Sequence, residues 1–491
     1  MTLLKLINKK LFVSILTLAL FSCSDPWSDR ENNGDDNLNI TLNEAIANTA
    51  ETSKFSELLA QSGYDKILSA SKTYTVFAPT NEAMAQVDAS LLNTPEKVVA
   101  FVQNHIALSA YSSVRKDASE KIKMLGPKYL LFKGNATIGD ATIVTADKYA
   151  ANGVFHIINR SLAPKKNIWE YINSQTASSS MSNYLVSLNE LNIYDSDITA
   201  KENAVPGVLA DSLSNSFLKN VYNVNNEKNS YTLFLIEDEG YNAEVDKLRP
   251  YLNKSTADST TTYSSYFTVR DMVFPKAYMP NELPDKLTLT TRFGVKVEID
   301  KTQIVGEPVV LSNGIVYRMK KVDVPLTDRL VTTKVEGEDN TSFSPSNLRS
   351  KIFYREQKDL NNIFFKDVMV YNSGATYFQL NYKATDLFST TYKVYWRAVN
   401  INNYSSTATV FQQRLVLGTV IRDNVIYFNE AFKDFGFKNV EIGVYTDVYL
   451  GEFTLTNAQD IDKITLFGAN TTTVGNNTMI LDYLKFVPVV K

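Results

Sequence analysis

The sequence predicts a multidomain chain of two α+β units in tandem followed by an all-β sandwich. Three observations carry this. Two successive segments close in the same way, at a spacing of about 160 residues. Within them, helical periodicity near the front gives way to strand alternation toward the end. The last third holds many short aromatic strands with turn residues between them. A chain of 491 residues is also too long for one core.

The N-terminus comes first. Lys5, Lys9 and Lys10 precede an apolar run from Leu11 to Phe21 that is too short to span a bilayer as a stable helix. Leu20-Phe21-Ser22-Cys23 then reads as a bacterial lipobox, so residues 1–22 are expected to be a lipoprotein signal peptide. Cys23 is the sole cysteine, and its thiol is expected to carry lipid, which leaves no disulfide. Residues 23–39 are polar and acidic and read as a flexible tether. Ser24 and Asp25 after Cys23 resemble the surface-export signal of Bacteroidota lipoproteins. That resemblance implies an outer-membrane, lipid-anchored protein at the cell surface. Asp35, Asp36 and Asn37 lack the spacing of an EF-hand calcium loop.

Composition excludes several function classes. Removing residues 1–22 lowers Lys plus Arg from 50 to 47 against 53 acids, a net charge near −6. Such a chain has no electrostatic footprint for nucleic acid or an anionic membrane surface. His105 and His156 are the only histidines, so a histidine-rich metal site is excluded, and no cofactor is expected.

Residues 40–165 form the first unit. Leu42 to Ser62 has helical periodicity, Thr80 or Asn81 can cap a helix through Val87, and Pro95-Glu96 opens another. Tyr129 to Phe132 and Ala141 to Val144 read as strands. Asn152-Gly153-Val154-Phe155-His156-Ile157-Ile158 closes the unit, with Asn-Gly expected to supply the positive φ of a tight turn and Pro164 ending the run. Residues 166–325 repeat the plan. Thr232-Leu233-Phe234 answers Thr75-Val76-Phe77, and Asn313-Gly314-Ile315-Val316-Tyr317 answers the closing strand. Trp169 is expected as a core or interdomain anchor.

Thr75-Val76-Phe77-Ala78-Pro79-Thr80-Asn81 resembles the first signature of the fasciclin family, and Asn152 to Ile158 its second. Asn104-His105 sits where that family often has Tyr-His. Residues 166–325 resemble a divergent second copy that has lost Ala-Pro-Thr-Asn and carries Tyr317 in place of His156. The resemblance implies non-enzymatic extracellular modules for adhesion to glycans, matrix or proteins.

Residues 326–491 read as the sandwich. Strands are expected at Phe364 to Tyr371, Tyr377 to Tyr382, Tyr392 to Val399, Thr409 to Leu417, Val425 to Phe428, Val440 to Tyr449 and Met479 to Val487. Two of them, around Trp396 and Tyr483, resemble strands of jelly-roll carbohydrate-binding modules. Alternation places Trp396 in the core and leaves Tyr395 and Tyr404 as the aromatics for stacking on sugar. This region is expected to fold alone and to hold the ligand site.

No catalytic group stands out. His105 and His156 lie in apolar runs, where histidine is a hydrogen-bonded core residue. Glu237-Asp238-Glu239 could pair carboxylates for glycoside hydrolysis, but adjacent acids at a helix start favour the helix dipole instead. The expected function is glycan capture beside a TonB-dependent transporter and its lid lipoprotein. The alternative is an adhesive or structural subunit that binds protein partners in an outer-membrane complex.

Overall fold

The computed structural model describes residues 36–70, 72–113, 119–134, 136–188, 215–401, 409–423 and 425–491. Residues 1–35, which include the expected signal peptide and Cys23, and Tyr404 lie outside the described residues. Asp36–Asn39, expected in the tether, instead form a 3-10 turn beside the first sheet. The chain is tied there because Ala151 N–H donates to Ile40 O at 2.8 Å.

In the first unit, the long helical stretch is two helices, Leu42–Ala47 and Ser53–Ser62. Thr41 and Glu44 cap the first reciprocally. It stops where the Thr49 and Thr52 hydroxyls turn back onto Ala45 O and Ile46 O, at 2.8 and 2.9 Å. Thr80 caps Asn81–Ala85, accepting from Ala83 N–H at 3.1 Å. Thr94 and Pro95 start Pro95–Gln103. These helices cover a seven-stranded sheet. Its centre is the parallel pair Tyr74–Pro79 and Gly153–Ile158, in register from Tyr74↔Gly153 to Pro79↔Ile158. Every residue of both strands is buried.

The second unit rebuilds that centre. Tyr231–Ile236 runs parallel to Gly314–Met319, from Tyr231↔Gly314 to Ile236↔Met319, in a four-stranded sheet. The same side chains lock both pairs. Asn152 Nδ2 donates to Leu68 O and Ala70 O, both at 2.7 Å, while its Oδ1 accepts from Leu42 N–H at 2.8 Å. Asn313 likewise donates to Val224 O at 2.7 Å and Asn226 O at 3.3 Å and accepts from Ile168 N–H at 2.9 Å. Thr75 and Thr232 each donate to one carbonyl and accept from the amide two residues on, with all four contacts between 2.6 and 2.8 Å.

The Asn-Gly dipeptide supplies the expected positive φ, but at the first residue of the strand and not within the turn. The hairpin loops are residues 151–152 and 312–313, so each glycine is already in its strand. A Cβ on Gly153 would lie 2.1 Å from Tyr74 O, and one on Gly314 1.9 Å from Tyr231 O. The expected positive φ is present, +158° at Gly153 and +148° at Gly314, and it acts together with close approach of the parallel partner to require glycine there.

The C-terminal region is mostly β. Thr333–Glu336, Tyr483–Pro488, Thr391–Arg397 and Val448–Thr454 form a four-stranded sheet. Five- and three-stranded sheets build the rest of one core, and Ile421–Arg422 pairs with Val425–Ile426 as a separate two-stranded sheet. Three expected strands are corrected, the first being Val425 to Phe428, which is strand only over Val425–Ile426 and enters a 3-10 turn at Phe428–Glu430. Val440 to Tyr449 is the connection between Lys433–Val440 and Val448–Thr454, turning at Gly443 with φ +71°. Met479 to Val487 divides at Asp482 into Met479–Leu481 and Tyr483–Pro488, which join different sheets. The core also contains Leu248, Tyr251 and Leu252 from the second unit. A C-terminal fragment beginning at residue 326 would therefore lack part of its own core.

Two sets of ion pairs join neighbouring segments. Lys128 meets Glu170 at 2.8 Å and Glu227 at 2.7 Å. Arg329, fully buried, holds Asp271 at 2.8 Å and Glu244 at 2.6 Å. Trp169 packs on the core of the second unit.

Candidate functional site

The two histidines are fixed inside the first unit. His105 Nδ1 lies 2.8 Å from Phe101 O, and its Nε2 accepts from Leu162 N–H at 2.9 Å. Burial pushes its pKa down to about 4, against a smaller upward pull from the Phe101 carbonyl. His156 Nε2 lies 2.8 Å from Tyr111 O, while Nδ1 accepts from Asp147 N–H at 3.3 Å. Burial lowers its pKa as well. Both ring nitrogens of each are engaged, so neither histidine is poised as a base. The second unit substitutes both. Tyr317 stacks on Phe234 at 5.6 Å, as His156 stacks on Phe77 at 5.3 Å, and its hydroxyl donates to Tyr278 O at 2.7 Å. Met272 takes the place of His105, since Phe77 N–H donates to His105 O and Phe234 N–H to Met272 O, both at 2.9 Å.

The acidic cluster is also tied down. Arg318 holds Glu237 at 2.9 Å, and Asp238 accepts from Ser180 N–H at 2.8 Å at the start of Ser180–Ser187. Among the described residues, no three His, Cys, Asp or Glu side chains converge as a metal site.

The four-stranded C-terminal sheet offers a different surface. Tyr392, Val394 and Trp396 point inward and are buried, as alternation requires. Tyr395 points outward and is half-buried. A bulge between Val394 and Tyr395 shifts the register, so that Tyr395 faces Tyr449 on the next strand. The two rings lie 5.3 Å apart at 53°, and Tyr449 is 49% exposed. One cross-strand row runs Lys334, Lys485, Tyr395, Tyr449. Four strands make it roughly 14 Å wide.

The polar groups around the row are held in place. Asp447 accepts from Lys485 Nζ at 2.9 Å and Tyr483 Oη at 2.7 Å. Burial pushes Asp447 up, but those bonds outweigh it and leave the carboxyl below its usual range. Arg397 lies over Phe365 at 4.3 Å, donates to Tyr445 O at 2.8 Å and pairs with Asp482. Burial of Asp482 outweighs that pair and raises its pKa to about 6.

Of the expected site residues, the structure thus places Tyr395 on this face, while Tyr404 and Cys23 lie outside the described residues. Tyr449, Asp447, Lys485, Tyr483 and Arg397 were missed. Reading Val440 to Tyr449 as one strand lost the phase that turns Tyr449 outward.

Residues 50–164 match the family model described as Fasciclin domain. Protein sll1483 of Synechocystis is 33% identical over 106 residues, covering 20% of this chain and 58% of that protein. The chain therefore spans little more than half the length of this curated relative. Among solved structures, a FAS1 domain pair from the insect cell adhesion molecule Fasciclin I covers 57% of this chain and 98% of its own, at 18% identity and TM-score 0.22. The CBM22-1–GH10 modules of Clostridium thermocellum xylanase 10B, solved with xylohexaose, cover 33% of this chain and 28% of their own, at 10% identity and TM-score 0.20. Residues 50–164 are a fasciclin domain, a module associated with adhesion or binding, in a chain that ends in a mostly-β region.

Proposed function

We propose that this protein is a non-enzymatic binding protein that uses its C-terminal region to hold extracellular glycan. The observation that carries the reading is the Tyr395–Tyr449 pair on an open sheet face. Aromatic faces stack on the C–H surfaces of pyranose rings, and fixed charged groups beside them supply hydrogen bonds to hydroxyls. Asp447, Lys485 and Arg397 are such groups. In this reading residues 326–491 are a jelly-roll-like sandwich. Residues 166–325 are a second, divergent fasciclin domain, supported by the matched Asn, Gly and Thr contacts of the two parallel pairs. Cys23 carries lipid at the outer membrane, and the chain serves a TonB-dependent transporter and its lid lipoprotein as an accessory for capture.

A glycan array followed by calorimetry on the full chain tests this. Affinity of about 10 µM to 1 mM is expected for a shallow site. The double variant Tyr395→Ala/Tyr449→Ala should lose most of it with melting unchanged. Undiminished binding would remove the face from consideration.

One observation favours the alternative, an adhesive or structural subunit. The hairpin joining Ile352–Lys358 to Phe364–Val370 exposes Leu360, Ile363 and Phe364 at 77%, 62% and 61%. Apolar side chains grouped on one tip suit a protein partner. Co-purification of one envelope protein that is lost in Leu360→Asp/Phe364→Asp would support that reading over glycan capture.

A further inference from the structure

The face that carries Tyr395 and Tyr449 continues beyond their row. On Thr391–Arg397 the outward side chains are Thr391, Lys393, Tyr395 and Arg397. On the next strand Thr454, Glu452 and Tyr449 stand opposite the first three. From Tyr395 back to Thr391 is a run of roughly 13 Å along the strand.

That run ends in a cleft. Thr391 and Thr454 line a space of about 500 Å³, which Asp246, Pro250 and Tyr251 line from the second unit. Ser389 ties the two sides together, donating its Oγ–H to Pro250 O at 2.9 Å and its N–H to Tyr251 O at 2.8 Å. Both the volume and the place, at a junction between units, are those that ligand sites favour.

The groups along the way suit a sugar chain. Thr391 Oγ1 and Thr454 Oγ1 lie 2.9 Å apart in exposed positions. A hydroxyl pair uses only one of its two protons on itself, so it keeps an O–H to donate and lone pairs to accept. Charge alternates in sign. Lys485 meets Asp447 at 2.9 Å, and Lys393 stands across from Glu452. Such a balance gives a chain of either charge no advantage over a neutral one.

We propose, resting on the glycan reading above, that the aromatic face and the cleft are one site, and that it takes a neutral glycan chain and not a single sugar. One stretch of the chain stacks on Tyr395 and Tyr449. The rest runs along the strands past Lys393 and Glu452, and its far units enter the cleft between the C-terminal region and the second unit. The second unit is then a wall of the site and not a spacer.

Calorimetry on the full chain tests this with neutral ladders from dimer to hexamer: cello-, xylo-, laminari- and malto-oligosaccharides. In the ladder that binds, affinity should rise roughly tenfold or more from dimer to hexamer. Thr391→Val/Thr454→Val removes both hydroxyls at nearly constant shape and strand propensity, and should cancel most of that rise with melting unchanged. Asp246→Ala, on the second-unit side, should weaken the hexamer roughly fivefold. Equal affinity for dimer and hexamer would overturn the extended site and leave the aromatic face standing. A rise untouched by either variant would overturn the cleft as its source. Tighter binding of an oligogalacturonate ladder than of any neutral one would overturn the ligand class. No binding in any ladder would overturn the glycan reading and this inference with it.

Discussion

His105 should make the first unit acid-labile, and the size of the effect follows from its surroundings. The ring is wholly buried, and its pKa is about 4 in the folded chain. In the unfolded chain it returns to about 6.5. Between those values the unfolded state binds the extra proton, so stability is lost as pH falls through this window. The loss is about 2.5 kcal/mol at pH 4.5 and about 3 kcal/mol once pH is below 4. Amide hydrogen exchange reads it directly, through the protection of Tyr74–Pro79 and Gly153–Ile158 after correction for intrinsic rate. Carboxylates contribute slopes of their own, so the test is the difference between wild type and His105→Met. Methionine is the residue at this place in the second unit. The variant should lose about 1–3 kcal/mol at pH 7.5, because Leu162 N–H is left without its acceptor. It should also show a flatter protection curve from pH 6.5 to 4.5. Identical slopes in the two proteins would refute the reasoning.

Other consequences follow from the same contacts. Asn313→Ala removes three hydrogen bonds at the second parallel pair and should cost about 2–4 kcal/mol, read from Trp169 fluorescence during urea unfolding. Arg329→Met removes the nearest cation from Asp271 and Glu244, leaving them Arg270 at 3.9 Å and Lys247 at 3.3 Å, and should cost about 3 kcal/mol, seen as an earlier calorimetric transition for the second unit and C-terminal region. A fragment of residues 326–491 lacks Leu248, Tyr251 and Leu252, a loss of roughly 5–8 kcal/mol of burial, and should give no cooperative near-UV melt, whereas residues 166–491 should. Cys23→Ala should move the protein from the membrane fraction to the soluble one. Palmitate incorporation that persists in that variant would count against lipid attachment at Cys23.

The closing strands and their repeat were legible, though not their parallel pairing, because their demands are local and chemical. An asparagine must satisfy two carbonyls and an amide, and the next residue must let a neighbouring backbone come close, so Asn-Gly is written at both places. The histidines were legible as core for a related reason, since one fold position accepts His156 or Tyr317 provided the ring stacks and a donor reaches the carbonyl. Strand ends in the C-terminal region were harder. Gln459–Gly468 opens with Gln-Asp-Ile-Asp-Lys, and Ile352–Lys358 closes with Arg-Glu-Gln-Lys, so charge hides both strands from a hydrophobic reading. Conversely, Val440 to Tyr449 reads as one strand because Val, Ile and Tyr fill a connection that Gly443 turns.

The candidate face shows what a single strand can and cannot disclose. Alternation within Thr391–Arg397 is enough to send Tyr395 outward and Trp396 inward. It says nothing of what Tyr395 faces, because that depends on a bulge and on a partner about 50 residues away in sequence. Asp447 is a sharper case. Its worth lies in being met by Tyr483 and Lys485, which come from a strand beginning after the break at Asp482. Asp482 makes that break useful by pairing with Arg397 and donating its N–H to Arg397 O at 2.8 Å. The residue that ends one strand thus anchors the strand beside it. The charged edge of the aromatic platform exists only because two sheets part company there.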